Sequence, residues 1–205
     1  MNMKVNNNKI KVIMFDFDDT LAYTSLVSKE KFKNIYFEYY PNNTEKDFLE
    51  YRKKVKWLPF STKLKWISEV DIDLLKKRWF LDYRDNFGKC VLFDWWIELF
   101  ESIKKQNIKL YIVSNKFKEL LYEMLKYFSI EKYFDVIIWE DTFDFYKPDV
   151  RLSQEICKKY NLYPKDVLYI WNSEVDREFY TKSGFYGFVS EENNKRLSFV
   201  KDFIK

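Results

Sequence analysis

The chain has 205 residues, of which 47% are hydrophobic and 21% aromatic, and its formal net charge is +4. A chain of this length and apolar content can bury a sizeable core, as one domain with an insertion or as two small domains, and the composition argues against disorder. The small net charge lacks the electrostatic footprint of a dedicated nucleic-acid binder. Because the sequence contains no histidine, Ser-His-Asp catalysis, Cys-His catalysis and histidine metal sites are excluded.

The spacing of the cysteines and the lack of a long apolar stretch bear on the cellular setting of the protein. Cys90 and Cys157 lie far apart and form no C-x-x-C motif, which favours a reduced, intracellular environment. The N-terminal segment MNMKVNNNKIK is polar, and no stretch approaches the roughly 20 apolar residues of a membrane span. We therefore predict a cytoplasmic protein with no membrane partner. The sequence names neither the substrate nor the oligomeric state.

The first predicted element is a buried strand over Lys11–Phe15 that ends at the acidic residues Asp16, Asp18 and Asp19, followed by Thr20. An apolar strand that delivers acids at its carboxyl end is typical of the ligand crevice of an open α/β sheet. Asp16 and Asp18 are two residues apart, so a regular strand directs both to one face, where they repel unless a cation or a shared proton compensates. A Mg²⁺ ion bound by carboxylates and substrate phosphate oxygens supplies that compensation.

A block of helices is predicted next, between about Ser25 and Gly88. Pro41 and Pro59 mark breaks, and Thr44 begins a capping-box pattern. The predicted helices are Ser28–Tyr40, Thr44–Trp57, Ser61–Val70 and Asp71–Phe87. Because this block lies between the first strand and all the others, we predict that residues 25–88 form a helical insertion, while residues 1–24 and 89–205 form the α/β core.

Strands and helices alternate after this block. The predicted helices are Phe93–Lys105, Glu119–Phe128, Asp149–Tyr160, Glu174–Ser183 and Leu197–Ile204, and the predicted strands are Lys109–Val113, Val136–Trp139, Val167–Trp171 and Tyr186–Val189. Alternation of this kind predicts an α/β fold with a doubly wound parallel sheet and right-handed crossovers.

Polar residues follow the later strands as they follow the first one. Ser114 and Asn115 follow the second strand and offer a hydroxyl and backbone N–H groups, which suit a phosphate oxygen. Lys147 precedes a helix, and Asn172 and Asp176 follow the fourth strand. Since the carboxyl ends of parallel strands meet at one crevice, these groups form a set of nucleophile, acid, anion site, cation and metal ligands, as phosphoryl transfer requires.

The order and spacing of these motifs resemble the haloacid dehalogenase-like hydrolase superfamily. Asp16, Asp18 and Thr20 match its first motif D-x-D-x-T, Ser114 the second, Lys147 with Pro148-Asp149 the third, and Asn172-Ser173 with Asp176 the fourth. The resemblance runs from Lys11 to about Val189 and implies a Rossmann-like core. The helical insertion is similar to a cap of the C1 type.

This resemblance implies a Mg²⁺-dependent phosphatase that acts on a small phosphorylated metabolite through an aspartyl-phosphate. It implies that Asp16 is the nucleophile, that Asp18 is the acid and base, and that Lys147 neutralises charge. Phosphate or its loop would be held by Thr20, Ser114 and Asn115, and the metal by Asp16, the Asp18 backbone carbonyl and a motif-four side chain, Asn172 or Asp176.

The fourth motif departs from the common family pattern Gly-Asp-Ser-x-x-Asp. Trp171 replaces the glycine and Asn172 the metal-binding aspartate, so the site loses one negative charge. Three alternatives therefore stay open: a catalytically weakened binding or regulatory protein, a dehalogenase, and a nucleotide phosphatase. The fourth motif resembles that of the metal-free haloacid dehalogenases, which also carry asparagine in this region. Those enzymes usually lack the second aspartate of the first motif, however, and Asp18 is present here. The phosphatase is the leading hypothesis.

Overall fold

The computed structural model describes residues 10–56, 58–68 and 72–190. Its main sheet has five parallel strands in the order β5-β4-β1-β6-β7. These strands are β1 (Val12–Phe15), β4 (Lys109–Val113), β5 (Val136–Ile138), β6 (Val167–Trp171) and β7 (Tyr186–Val189). Since β1 lies at the centre of the order, its carboxyl end is flanked by the ends of β4 and β6.

Helices cover both faces of this sheet, as the doubly wound prediction requires. They are α5 (Trp95–Lys104), α6 (Lys118–Tyr127), α7 (Val150–Tyr160) and α8 (Glu174–Ser183). Successive side chains of β1 point to opposite faces of the sheet, so they belong to two separate parts of the core. Ile13 and Phe15 pack with residues of α5 and α6, while Val12 and Met14 pack with residues of α7 and α8. Strands buried on both faces read as continuous apolar runs, which explains why β1 and β6 were clear in the sequence. The fold-class prediction is confirmed.

Four further helices lie between β1 and β4 in the sequence. They are α1 (Ser25–Tyr39), α2 (Glu45–Val55), α3 (Phe60–Lys65) and α4 (Ile72–Arg84). The chain enters and leaves this block through an antiparallel ribbon of two short strands, β2 (Ala22–Tyr23) and β3 (Val91–Leu92). Aromatic rings fill the interior of the helical block. The ring centroid of Trp79 lies 4.4 Å from that of Phe60 and 6.1 Å from that of Phe32.

Several predicted boundaries differ from the observed ones. The helix predicted over Ser61–Val70 runs from Phe60 to Lys65, because the chain turns at Trp66 and Ile67, where the Tyr40 hydroxyl donates to the Ile67 carbonyl. The ribbon β2–β3 was not predicted. The helix predicted over Leu197–Ile204 and the N-terminal lead-in lie outside the described residues. In the described part of the chain, no helix combines the length and apolarity that a bilayer crossing needs.

Candidate active site

The carboxyl ends of the three central strands open onto one crevice of about 220 Å³. β1 delivers Asp16 and Asp18, β4 delivers Ser114, and β6 delivers Asn172. The crevice is lined by Asp16, Asp18, Asp19, Lys56, Leu58, Lys63, Ser114, Asn115, Lys147, Asn172, Ser173, Val175 and Asp176. The structure therefore brings together the strand-end residues that the sequence singled out, with Thr20 directly behind them.

Lys147 lies between two carboxylates at the base of the crevice. Its ammonium group is 2.6 Å from Asp16 Oδ1 and 2.5 Å from Asp176 Oδ1, and it donates to the Tyr169 hydroxyl at 3.2 Å. The Tyr169 hydroxyl and the Ser173 hydroxyl donate to the two oxygens of Asp176. Because both oxygens of Asp176 already accept hydrogen bonds, this carboxylate holds Lys147 in place rather than facing open space.

The pKa values of Asp16 and Lys147 are both raised, for different reasons. Burial, and then the neighbouring charge of Asp176, raise the pKa of Asp16 to about 7, against the lowering influence of Lys147. For Lys147, burial acts to lower the pKa, but Asp16 and Asp176 outweigh it and hold the pKa above its usual value. Lys147 is therefore a fixed positive charge beside an aspartate whose ionisation is responsive near neutral pH.

Asp18 has its own cation, Lys116. The Lys116 ammonium lies 2.9 Å from Asp18 Oδ1 and 5.3 Å from the centre of the Tyr83 ring, and the Thr24 hydroxyl donates to the same oxygen at 2.5 Å. Burial alone would raise the pKa of Asp18, but the Lys116 charge and the Thr24 hydrogen bond hold it below its usual value. The two aspartates of the first motif thus have separate cations and different proton affinities.

The loop after β1 is held by backbone contacts. Asp19 has a left-handed φ of 56°, and its carboxylate accepts from the backbone N–H groups of Thr24 and Ser25 at 2.9 and 3.0 Å. These N–H groups belong to the start of α1, so Asp19 satisfies donors that have no partner within the helix. The Thr20 carbonyl accepts from the indole N–H of Trp96 at 3.0 Å. The loop that presents Asp16 and Asp18 is therefore anchored to helices on both sides.

Thr20 joins Asp16 to Asn172. Its hydroxyl lies 3.1 Å from Asp16 Oδ2 and 3.2 Å from Asn172 Oδ1, so these two oxygens face the same point. Among the described residues, no three His, Cys, Asp or Glu side chains converge in a way that could hold a metal. Mg²⁺, however, is usually bound by one or two carboxylates together with waters and substrate phosphates. The oxygens of Asp16 and Asn172 are hard donors that fit this ion, with one negative charge fewer than a second aspartate would give.

Ser114 and Asn115, the predicted phosphate-binding pair, have different positions. Ser114 is buried at the crevice wall, and its hydroxyl accepts from the Lys116 N–H at 3.2 Å, which leaves its own proton free to donate. The Asn115 amide is paired at both ends with the Lys147 backbone: it donates to the carbonyl at 2.7 Å and accepts from the N–H at 3.1 Å. Ser114 faces the crevice, whereas the Asn115 side chain positions the lysine loop.

Trp171 does not enter the crevice. Its ring stacks on Tyr169 at 5.6 Å and on Tyr180 of α8 at 4.4 Å between centroids. Gly187 on the neighbouring strand β7 leaves room for the Tyr180 ring, because a Cβ at that position would lie 2.1 Å from Tyr180 Cε2. The tryptophan at the motif-four glycine position is therefore packed against α8, and the crevice stays open beside Asn172.

The helical block meets the crevice through α3. The Phe60 N–H donates to the Asn115 carbonyl at 3.3 Å, and the buried Glu140 carboxylate accepts from the Ser61 N–H at 3.0 Å. Lys63, half-buried on the same helix, extends into the crevice. Burial lowers the pKa of the Lys63 ammonium to about 8. A cation from the helical block therefore lies opposite the strand ends.

Four site residues were missed in the sequence: Lys116, Thr24, Tyr169 and Lys63. Lys116 directly follows Ser114-Asn115 at a strand end, and this position was a usable signal. Tyr169 lies within an apolar strand and carries no signal of a buried hydroxyl. Thr24 and Lys63 reach the site only through the path of the loop and the packing of α3, which no local pattern encodes.

The fold and these strand-end motifs define the class of the protein. Residues 13–185 match the family model described as haloacid dehalogenase-like hydrolase, and the chain belongs to this family. It is therefore a hydrolase of that family, as the sequence motifs indicated. The helical block between the first and second motifs is consistent with the C1 cap subtype.

Among individual proteins, the chain is similar to pyrophosphatases named PpaX. It is 26% identical to the one from Oceanobacillus iheyensis over 202 residues, covering 95% of this chain and 92% of that relative, and 25% identical to one from Bacillus cereus over 170 residues, covering 82% and 77%. Among solved structures, CbbY from Rhodobacter sphaeroides in complex with phosphate has a TM-score of 0.73 at 16% identity, covering 90% of this chain and 87% of that one. A hydrolase from Geobacter sulfurreducens has a TM-score of 0.64 at 16% identity, covering 98% and 99%. The two structures share the fold.

Proposed function

We propose that the protein is a Mg²⁺-dependent phosphatase that hydrolyses a small phosphorylated metabolite through an aspartyl-phosphate, the acyl phosphate of Asp16. The observation that carries this proposal is the placement of Asp16, whose carboxylate borders the crevice and has Lys147 at 2.6 Å. A carboxylate nucleophile for phosphoryl transfer needs access to substrate and a nearby cation to offset the charge that accumulates. The pyrophosphatase relatives support chemistry at phosphorus. A cytoplasmic location belongs to the same proposal.

In the first step, a carboxylate oxygen of Asp16 attacks the phosphorus atom of the substrate. The new bond between Asp16 and phosphorus forms as the bond from phosphorus to the leaving oxygen breaks, and Asp18 gives its proton to that oxygen. Lys147 offsets the negative charge of the phosphoryl oxygens, and the Ser114 hydroxyl is free to donate to one of them. The products of this step are the released alcohol and phosphorylated Asp16.

In the second step, Asp18 takes a proton from water as the water oxygen attacks phosphorus. The bond between phosphorus and Asp16 breaks, inorganic phosphate leaves, and the Asp16 carboxylate is restored. Lys116 and the Thr24 hydroxyl keep the pKa of Asp18 low, which favours the ionised form that this second step uses. The proton that Asp18 gives in the first step therefore arrives with the substrate, bound as a phosphate monoanion, and passes through Asp18 to the leaving oxygen.

Mg²⁺ would be held by the Asp16 carboxylate, the Asp18 backbone carbonyl and the Asn172 amide oxygen, and when bound it supplies charge neutralisation for the phosphoryl group. Asp176 supports this set indirectly, because its two oxygens are engaged with Lys147, Tyr169 and Ser173. The lower charge of Asn172 predicts a weaker metal site than a second aspartate would give.

We further propose that residues 25–88 act as a cap over the core formed by residues 1–24 and 89–205. Lys63 of α3 extends toward the catalytic aspartates, and Phe60 and Ser61 bond to Asn115 and Glu140 of the core. A cap in this position helps to exclude water and contributes substrate contacts. Substitutions in the block should therefore change substrate preference more than attack on a small generic ester.

A second candidate function is a binding or regulatory protein with weakened catalysis. The neutral Asn172 supports this candidate, since it reduces the charge available to a metal. The position of Trp171 does not support it, since the indole packs on Tyr180 and leaves the crevice open. The two candidates predict different results with the same substrate panel.

The test is release of inorganic phosphate from a panel of phosphomonoesters and from pyrophosphate, measured with and without Mg²⁺. We expect Mg²⁺-dependent release by the wild type and loss of at least about a thousandfold in Asp16→Asn, with the fold retained, because the attacking carboxylate is gone. Substrate binding without release in both proteins would favour the binding protein. Halide release from 2-haloacids in place of phosphate release would favour a dehalogenase.

A further inference from the structure

A second cavity of about 240 Å³ adjoins the crevice on the side of Asp18. Three helices of the cap, α1, α2 and α3, form its walls. It is lined by Asp18, Thr24, Ser25, Ser28, Lys29, Phe32, Arg52, Val55, Lys56, Phe60 and Lys63. Asp18, Lys56 and Lys63 line both spaces, so the cavity continues the crevice from the residue that serves the leaving group.

The charge of this cavity is strongly positive. Four cations line it, Lys29, Arg52, Lys56 and Lys63, against the single carboxylate of Asp18. That carboxylate is already engaged by Lys116 and the Thr24 hydroxyl. Its negative charge is therefore balanced from the core side, and the cations of the cap face a space that offers them little compensation.

The cations differ in their partners. Lys56 pairs with Glu174. Within the described chain, Lys29, Arg52 and Lys63 have no carboxylate at salt-bridge distance, and Arg52 instead lies 5.8 Å from the centre of the Phe48 ring. Cations gathered around a cavity repel one another and gain from an anion that enters it. Three such side chains from three different helices make a site for a negatively charged group.

We propose that this cavity binds a second anionic group, a phosphate or a carboxylate, carried on the leaving part of the substrate. This inference rests on the proposed function, because it places the reacting phosphate in the crevice at Asp16 and the second anion beyond Asp18. Arg52 supplies a planar fork of donors that matches either anion, and Lys29 and Lys63 supply point charges. The apolar side chains of Phe32, Val55 and Phe60 contact the carbon atoms between the two charged ends.

The volume of the cavity limits the substrate. At about 240 Å³ it lies below the roughly 300–1,000 Å³ of sites that enclose drug-sized ligands. A phosphate or carboxylate with a short carbon chain fits this space. The substrate class is therefore a small metabolite with two anionic groups.

The kinetic test compares three substrates with one backbone: ethylene glycol monophosphate, phosphoglycolate and ethylene glycol bisphosphate. They place a neutral hydroxyl, a carboxylate or a phosphate at the same end. We expect kcat/KM to be at least about tenfold higher for the two substrates with an anionic far end than for the one with a neutral hydroxyl. This is the size of effect expected for one charge-assisted hydrogen bond. The order of the carboxylate and the phosphate identifies which anion the cavity prefers.

Variants locate the effect. The ratio of interest is kcat/KM for an anionic substrate divided by kcat/KM for the neutral one. Arg52→Gln and Lys29→Gln should each lower this ratio by about tenfold, while Arg52→Lys should retain part of the preference. Lys54→Gln is the matched control, because Lys54 lies on the same helix, is exposed and does not line the cavity. A wild-type ratio near one, or an unchanged ratio in both glutamine variants, would overturn the proposal.

A binding measurement keeps the subsite separate from the proposed function. Phosphonoacetate and 2-hydroxyethylphosphonate have carbon–phosphorus bonds that resist hydrolysis and differ in the same way at their far ends. By calorimetry, wild type should bind phosphonoacetate about tenfold more tightly, and Arg52→Gln should lose this preference. If no substrate is hydrolysed, the proposed function fails, and the calorimetric preference alone decides whether the subsite exists.

Discussion

Lys147 lies between two buried carboxylates, and this arrangement determines the electrostatics of the site. Asp16 and Asp176 share one ammonium group at 2.6 and 2.5 Å. One positive charge cannot balance two negative charges, so the cluster favours a proton on Asp16 in the absence of a metal. Removing one partner of such a cluster leaves an uncompensated buried charge, so the effect of a substitution depends on which charge is removed.

The Asp16 carboxyl group should make stability depend on pH. In the folded protein its pKa is raised to about 7, above the pKa of an aspartate in the unfolded chain. The stability that the protonated Asp16 contributes is therefore fully present at a pH below the pKa of the unfolded chain, and it is lost as the pH rises through about 7. Asp16→Asn removes this ionisation. In EDTA, the variant should therefore unfold several degrees above the wild type at pH 8, with a smaller difference at pH 5, by thermal unfolding.

Asp144→Asn is the control, because Asp144 is exposed on the surface. It should show no comparable dependence of the melting difference on pH. An Asp16→Asn protein that is less stable than the wild type at pH 8 would contradict the charge balance described for Lys147.

Asn172 is the residue at which the metal site departs from the family motif. Its Oδ1 and the Oδ2 of Asp16 both accept from the Thr20 hydroxyl, at 3.2 and 3.1 Å. Asn172→Asp should add a negative charge at this point and lower the Mg²⁺ concentration for half-maximal phosphate release by about tenfold, since hard cations respond to ligand charge.

A Mg²⁺ titration of both proteins, by calorimetry and by phosphate release, measures this effect. Unchanged Mg²⁺ affinity in Asn172→Asp would show that residue 172 is not at the metal. Tighter Mg²⁺ binding without turnover in either protein would support the binding or regulatory alternative.

At the scale of elements, β7 and α8 are fitted together around the tryptophan that replaces the motif-four glycine. The Tyr180 ring lies against Gly187 and stacks on Trp171. Gly187→Ala would place a methyl group 2.1 Å from that ring, which must then leave its stacked position. We expect a loss of about 1–3 kcal/mol in the free energy of unfolding, measured in urea.

Gly88→Ala is the matched control for this substitution. A Cβ at Gly88 would meet only the Tyr127 hydroxyl, at 4.0 Å. It should change stability by less than about 1 kcal/mol. Equal effects of the two alanines would show that the fit of β7 to α8 does not depend on the glycine.

Contact between the helical block and the main sheet domain involves the start of α3. Glu140 accepts from both the N–H and the hydroxyl of Ser61 and lies 3.7 Å from the Lys76 ammonium. Glu140→Gln removes the charge of this acceptor, so α3 should dock less firmly. Hydrogen exchange should become faster at the amides of residues 60–65, while Asp141→Asn, the exposed neighbour, should leave it unchanged. Unaltered exchange in Glu140→Gln would remove Glu140 from the docking contact.

The elements that the sequence predicted best are those with a strong apolar pattern. The bounds of β4, β6, β7 and α8 agree with the prediction. β4 and β6 are mostly buried apolar runs, and α8 is a capped amphipathic segment, whereas β7 is only partly buried. The ribbon β2–β3 was missed because two-residue strands show no periodicity, and their pairing depends on contacts between residues about 70 apart. The extent of α3 was overestimated because the turn after Lys65 is stabilised by Tyr40 from another helix.

At the level of the whole molecule, the sequence predicted the site residues that lie at the ends of strands. It did not predict the residues that reach the site through tertiary packing. Asp16, Ser114, Lys147 and Asn172 follow strands or precede helices, so topology alone brings them together. Lys116 and Tyr169 act through contacts across the crevice, and the cation-lined cavity is assembled from three helices of the cap. Such contacts depend on how the helices between β1 and β4 pack against the rest of the chain, which no local pattern of residues specifies.

Phosphorylation of Asp16 during turnover is the step on which the proposed mechanism depends. The most direct measurement is mass spectrometry of the protein after rapid acid quenching with Mg²⁺ and a hydrolysable substrate. We predict one added phosphoryl group on the peptide that contains Asp16, and none in Asp16→Asn, which lacks the attacking carboxylate. Turnover without any protein-bound phosphoryl group, or a phosphoryl group on another residue, would contradict this mechanism.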